Sequence, residues 1–236
     1  MRSLTATFAL IVSGTAIMPA AAEEFPYGRN VTFDVYRNGQ PIGQHTLVFQ
    51  QDGANRTVTV AVDLAVKALG VIAYRYQHNS KEVWNKNALQ ALEASTDDNG
   101  QKYSVRVKRG GDGLTVERQS PAATVAAAET SDQGLQPSTV AREVLPANLL
   151  PTTHWNVNQV GQSALLNTQY GTKSKTQVTK LGRELVKLAN GTTVQATRYH
   201  YTGDIRMDQW FDDRGRWVKS AFPAMDGSSI DYVLRE

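Results

Sequence analysis

The sequence predicts an all-β protein built on a large antiparallel meander. Two observations carry the prediction. Short runs rich in β-branched and aromatic residues alternate in polarity, and residues typical of tight turns separate them. Residues 56–66 show the alternation best, because Val58, Val60, Val62 and Leu64 share one parity and polar or small residues hold the other. One buried face and one solvated face are expected.

The first half of the chain follows this pattern in order. Residues 31–37 alternate and are followed by Asn38-Gly39, a strong signal for a two-residue hairpin. Further strands are predicted over residues 42–50, 56–66, 71–84, 89–96, 103–108 and 114–118.

An irregular insertion is predicted at about residues 120–158. Its start is rich in Ala, Ser, Thr and Pro, which predicts a long surface excursion or a short helix over residues 125–129. Residues 140–150 have helical apolar spacing but are cut by Pro146 and Pro151, so any helix expected there is short. Strands resume over residues 164–169, 173–181 and 183–188. A four-run meander over residues 192–236 completes about a dozen strands.

Residues 1–22 have the pattern of a secretory signal peptide. A short basic start, an apolar stretch and Ala20-Ala21-Ala22 predict cleavage after Ala22 and export to the periplasm. Residues 23–236 are then expected to form one β domain, with no transmembrane segment after signal cleavage.

Composition narrows the classes of function. The chain has no Cys, which excludes thiol catalysis and Cys-based metal sites. It carries 25 Lys and Arg against 22 Asp and Glu, and no block of like charges indicates a nucleic-acid partner.

No catalytic or metal-binding motif is present. The four histidines lack metal-ligand spacing, so neither a metal nor a cofactor is predicted. Separate histidines are the favoured interpretation, and convergence of two or three of them in space is the alternative. Asp204, Asp208 and Glu82 are available for acid–base chemistry, and no catalytic residue is assigned from the sequence.

Aromatic residues are the candidates for ligand binding. On a curved sheet they could line a concave pocket, although the plainer interpretation, which we favour, is that they form the core. The candidates are Tyr74, Tyr76, Trp84, Trp155, Tyr199, Tyr201 and Trp210.

Several motifs, in their order, resemble a family of uncharacterised exported bacterial proteins, the DUF6134 family, which is similar to the periplasmic DUF3108 group. The motifs are DVYRNGQPIGQHTL, RYQHNSKEVW with STDDNGQKY, PTTHWN, LLNTQYG, TGDIRMDQWFDDRGRWV and DGSSIDYVL. The resemblance covers nearly the whole chain after the signal peptide. It implies a strongly curved sheet, a half-barrel or open barrel like those of lipoprotein carriers, and it brings no established activity.

The resulting hypothesis is a periplasmic, non-catalytic protein that binds an apolar or amphiphilic envelope ligand, such as a lipid, or an envelope protein. Two alternatives stay open: an envelope hydrolase that uses Asp, Glu and His on the concave face, and a purely structural assembly module. The sequence leaves the oligomeric state open.

Overall fold

The computed structural model describes residues 25–121 and 138–236, which form antiparallel strands and one short 3-10 helix. The predicted signal peptide and the expected helix over residues 125–129 lie outside these ranges. The strands are β1 Asn30–Arg37, β2 Gln40–Asp52, β3 Asn55–Ala68, β4 Val71–Asn85, β5 Ala88–Asp98, β6 Gln101–Gly110, β7 Gly113–Pro121, β8 Ser138–Leu145, β9 Ala164–Leu166, β10 Lys173–Lys187, β11 Thr193–Gly203, β12 Met207–Asp212, β13 Trp217–Pro223 and β14 Ser229–Arg235. The 3-10 helix is Val157–Gly161.

The strands form one sheet from two meanders. Its order is β8-β7-β6-β5-β4-β3-β2-β1-β14-β13-β12-β11-β10-β9, so the two meanders meet where β1 pairs with β14. In that pairing Phe33 lies opposite Leu234 and Val35 lies opposite Tyr232. β8 and β9 are the two edges, and the sheet is not closed. This confirms the predicted all-β class and the open-barrel architecture.

Alternation places the core on the inner face of the sheet. Val58, Val60, Val62 and Leu64 of β3 are buried, as their shared parity predicts. The Asn38-Gly39 turn has φ of 47° and 78°, the left-handed conformation that a two-residue hairpin requires.

The expected helix within residues 140–150 is wrong. Residues 138–145 form β8, which pairs with β7 and sets Leu145 opposite Leu114. The helix-like spacing was misleading because Val140 and Val144 are exposed, while Leu145 is buried at the end of the strand and Leu149 is buried beyond it. The unpaired backbone groups of β7 favour a strand here, and Pro146, which has no N–H, follows its end.

Residues 146–172, which we call the crossing segment, lie against the inner face. Leu165 and Leu166 within it are fully buried. Gly171 has φ of +65°, and a Cβ there would lie 3.0–3.3 Å from atoms of Arg118, Val116 and Val105. The segment therefore fits against β6 and β7 only because residue 171 has no side chain.

A buried carboxylate fixes the other end of the crossing segment. Glu82 of β4 is fully buried, and its Oε2 accepts hydrogen bonds from the indole N–H groups of Trp84 (2.7 Å) and Trp155 (3.0 Å). Tyr27 donates to the Trp155 carbonyl at 2.8 Å and accepts from the Trp217 N–H at 2.6 Å. Trp155 is thus connected to both meanders.

Burial and hydrogen bonds shift the pKa of Glu82 in opposite directions. Burial raises the pKa of Glu82 above its ordinary value of 4.5, and hydrogen bonds from Thr153, Trp84 and Trp155 partly offset the rise. Above pH 4.5 the unfolded chain releases a proton that the folded chain retains. This group therefore lowers the free energy of unfolding as pH rises from 4.5 towards its raised pKa.

Two substitutions at Glu82 test this anchor. We expect Glu82→Leu to destabilise the protein by about 2–4 kcal/mol, because two buried indole N–H groups lose their acceptor. Glu82→Gln retains an acceptor and should stay within about 1 kcal/mol of the wild type, gaining relative stability as pH rises above 4.5. Denaturant unfolding between pH 4 and 8 measures both effects, and equal stability of the two variants would contradict the anchoring role.

Candidate functional site

A cavity of about 760 Å³ lies between the inner faces of the two meanders and the crossing segment. One wall comes from β2, β3 and β4, and the opposite wall from β12, β13, β14 and the turns beside them. Most of the lining is apolar. The apolar lining residues are Ile42, Val60, Val62, Leu64, Val66, Ala73, Tyr74, Tyr76, Ile205, Met207, Phe222, Ala224, Met225, Ile230 and Tyr232.

Strand register gives the cavity a direction. Along β3 and β4, Val66 pairs with Tyr74, Leu64 with Tyr76 and Val62 with His78. Exposure falls along this series, from 38% at Tyr74 to 5% at His78. We call the Tyr74 end the mouth and the His78 end the floor.

The mouth combines charged and apolar side chains. Arg37 donates to Asp226 and, at 2.9 Å, to Ser228. Tyr74 donates to Asp98 at 2.6 Å. Beyond the mouth, the tip of the β3–β4 hairpin exposes Leu69, Val71 and Ile72, and the β13–β14 turn exposes Met225.

The floor is formed by three histidines. His45 and His78 both pair with Val62 from opposite sides, so β2, β3 and β4 carry them in one row across the sheet. His154 comes from the crossing segment, and its ring centroid lies 6.3 Å from that of His45. Trp217 packs against both rings, with centroids 5.2 Å from His45 and 4.9 Å from His154.

The structure brings three of the four histidines to one end of the cavity, which is the alternative that the sequence left open rather than the favoured interpretation. Parity places His45 and His78 on the inner face, but only the register of β2, β3 and β4 places them on either side of Val62. His154 reaches them because the crossing segment folds back over the sheet.

Hydrogen bonds show which nitrogen atoms of the floor histidines have protein partners. The His154 Nδ1 lies 3.1 Å from the Gln209 amide nitrogen, which donates to it in the tautomer that carries the ring proton on Nε2. The His78 Nδ1 lies 2.8 Å from the Thr96 hydroxyl. The His45 Nε2 and the Gln209 Oε1 are buried without a hydrogen-bond partner among the described residues.

Burial keeps these imidazoles neutral. Desolvation lowers the pKa of His78 to about 4 and, helped by His78, that of His154 to about 4. Desolvation, together with the other two rings, holds the pKa of His45 well below 6.5. The three groups do not form a metal site: in residues 25–121 and 138–236 no cluster of three or more His, Cys, Asp or Glu is arranged to hold a metal ion.

The predicted aromatic candidates divide into three groups. Tyr74 and Tyr76 line the cavity. Trp84 and Trp155 lie on the inner face but enclose Glu82 rather than the cavity.

The other three candidates contribute to packing. Tyr201 is fully buried, and Tyr199 packs against Phe211 with ring centroids 6.1 Å apart. Trp210 donates to Glu184 and lies beneath the cations of Arg198 and Lys219. Sequence reasoning missed the apolar wall of β3 and the histidine floor as parts of a site.

The remaining histidine forms an ion-pair cluster away from the cavity. His200 Nδ1 lies 2.7 Å from Asp208 Oδ1, and Arg198 donates to the other carboxylate oxygen at 2.6 Å. Burial would raise the pKa of Asp208, but the hydrogen bonds from Arg198 and His200 hold it below its ordinary value. None of these three residues lines the cavity.

No helix within the described ranges has the length and hydropathy to cross a bilayer.

Lowering the pH should destabilise the protein, because the floor histidines resist protonation in the folded state. Between pH 6.5 and about 4, the unfolded chain binds protons that the buried histidines do not, so each histidine lowers stability by up to about 1.4 kcal/mol per pH unit. His45→Phe removes one such group and retains ring packing. We expect its free energy of unfolding to fall less steeply from pH 6.5 to 4.5 than that of the wild type. Identical slopes in denaturant unfolding would show that His45 is protonated as easily in the folded state as in the unfolded chain.

Comparison with known proteins places the fold in context. The chain aligns with the crystal structure of a β-barrel-like protein of the domain of unknown function DUF1849 from Brucella abortus, with a TM-score of 0.56 and 8% sequence identity. The alignment covers 88% of this chain and 95% of that chain, and at this identity the similarity concerns the fold alone. Among curated proteins none matches. The similarity to the DUF3108 group stays a prediction.

A family model supports the resemblance that the sequence motifs indicate. The family model described as "Domain of unknown function (DUF6134)" matches residues 33–235, which is most of the chain. The chain therefore belongs to the DUF6134 family.

Proposed function

We propose that this protein is an exported, periplasmic, non-catalytic binding protein that holds an apolar or amphiphilic envelope ligand in the cavity between its two meanders. The observation that carries the proposal is the cavity itself: about 760 Å³, apolar along its walls and polar at its floor. Pockets for small molecules have volumes of roughly 300–1,000 Å³, with mainly apolar linings and a few polar groups that orient the ligand.

The surroundings of the mouth support an apolar ligand. Leu69, Val71, Ile72 and Met225 are exposed around or beyond the mouth, although large apolar side chains usually avoid solvent when they cluster. Such an apolar rim would let a poorly soluble ligand enter the cavity from a membrane or from a partner protein without crossing water.

Hydrolysis has weaker support. A hydrolase would place two carboxylates, or a histidine–carboxylate pair, within hydrogen-bond reach at the floor of the cavity. The acids that line the cavity are Asp98, Asp204 and Asp226, and among the described residues they accept hydrogen bonds from Tyr74, the Lys175 N–H and Arg37 rather than from the floor histidines. The His200–Asp208 pair and Glu82 do not line the cavity.

An assembly module also has less support. It would have a filled core and would present long unpaired edge strands, whereas here the inner face encloses a cavity. The exposed Val140 and Val144 on the edge strand β8 nevertheless favour a protein contact there as a second role.

Filling the cavity tests the proposal. Leu64 lies in the middle of the apolar wall, and Leu64→Trp should occupy ligand volume and weaken binding of the apolar dye N-phenyl-1-naphthylamine by about tenfold or more. The matched control is Leu185→Trp, because Leu185 is exposed on β10 and does not line the cavity. Dye fluorescence measures binding, and thermal unfolding verifies that both variants are folded.

A wild-type protein that fails to bind the dye, or equal binding by the two tryptophan variants, would count against the cavity as the ligand site.

A further inference from the structure

We propose that the histidine floor recognises the head group of a weak acid, and that the preferred ligand is a long-chain carboxylic acid bound head-inward together with one proton. This inference rests on the proposed function, because it names the chemical class of the amphiphile that the cavity holds. It depends on four features of the floor: the placement of its imidazoles, their unused hydrogen-bonding groups, the strained backbone of His154, and the absence of fixed charge beside them.

Placement is the first feature. The row across β2, β3 and β4 sets His45 and His78 on either side of Val62, and His154 approaches from the crossing segment. All three residues line the cavity at the end farthest from the exposed Tyr74. A ligand that enters from the mouth along Val66 and Leu64 therefore places its leading end against the imidazoles.

Unused hydrogen-bonding capacity is the second feature. Buried polar atoms in folded proteins nearly always have partners. The His45 Nε2 and the Gln209 Oε1 have none among the described residues. In His78 and His154 the Nδ1 atom has a protein partner, which leaves the Nε2 atom of each ring for a ligand.

The backbone of His154 is the third feature. Its φ of 69° lies in the left-handed region, which residues with a side chain adopt rarely. Such strain persists where the surrounding structure requires a particular side-chain direction, and it concentrates at functional sites. Here the strained residue is the one that supplies the third imidazole.

The charges around the floor select the ligand. The titratable groups that face it are the three imidazoles and, from β4 and β14, the Tyr76 and Tyr232 phenols, which burial keeps protonated. Farther along β4, the Glu82 Oε2 accepts hydrogen bonds from the indole N–H groups of Trp84 and Trp155. Among the charged side chains that line the cavity, Arg37, Asp98 and Asp226 lie at the mouth, and Asp204 and Arg206 lie between β11 and β12. The described groups that shift the pKa values of the three rings include no lysine or arginine, so a permanently charged head group among the rings would be buried without an adjacent counter-ion.

A carboxylic acid avoids this cost. It can keep its proton and hydrogen-bond to an imidazole, or it can transfer the proton to a ring nitrogen and form an imidazolium–carboxylate pair. In both cases the ligand and the floor together stay neutral. No bond other than that to the proton changes, so no co-reactant is needed.

Proton uptake gives the inference a measurable signature. Above about pH 6 the free acid in water is ionised and the floor is neutral, so the complex must take one proton from solution. We expect the Kd of dodecanoic acid to rise about tenfold per pH unit between pH 6.5 and 8.5. The Kd of 1-dodecanol, which has the same chain length and does not ionise, should stay constant.

The experiment measures displacement of N-phenyl-1-naphthylamine by both ligands from the wild-type protein. It is repeated with His78→Phe and His154→Phe, and His200→Phe is the matched control on a residue outside the cavity. The two floor variants should lose about tenfold or more of the preference for acid over alcohol at pH 6.5 and retain dodecanol binding, while His200→Phe behaves as the wild type.

The outcomes separate this inference from the proposed function. If the wild type binds both ligands with flat pH dependence and no preference for the acid, the acid-binding floor is overturned and an amphiphile cavity remains. If neither the dye nor either ligand binds, the proposed function fails, and the inference fails with it. The wild-type pH series decides between these outcomes even if a floor variant does not fold.

Discussion

The hydrogen bonds between the Glu82 carboxylate and two indoles are the constraint on which the cavity depends. Trp84 and Glu82 belong to the same strand, whereas Trp155 belongs to the crossing segment, so this contact fixes the segment to the inner face. The neighbouring residue, His154, is thereby held over the sheet beside His45. Without this anchor, the crossing segment would no longer cover the cavity, and His154, one of the three floor histidines, would lose its position.

The open sheet explains why a cavity exists at all. Two meanders whose strands pair through β1 and β14 form opposite walls, and the crossing segment packs closely against β6 and β7 but leaves open space beside β3 and β4. Rings from both meanders and the crossing segment, including Trp217 and Tyr232, close the inner end around the histidines. The unfilled remainder is the cavity that opens towards the β3–β4 hairpin.

The sequence predicted much of the fold and little of the site, for a physical reason. Alternation and turn residues are local, so β3 and the Asn38-Gly39 hairpin could be derived from short windows of sequence. The histidine floor depends on long-range register, since His45 and His78 meet only through Val62. Tyr74 and Trp84 share one face of β4, yet their separation along the strand puts one at the mouth and the other beside Glu82.

The most direct test of the account is native mass spectrometry of the protein purified from its own cells, followed by extraction and identification of any bound small molecule. The account predicts one amphiphile per chain, with a carboxylic-acid head and a long apolar chain, released when the protein unfolds. A bare protein mass from gently handled material would contradict it, provided that the same protein also leaves long-chain acids unbound when they are added.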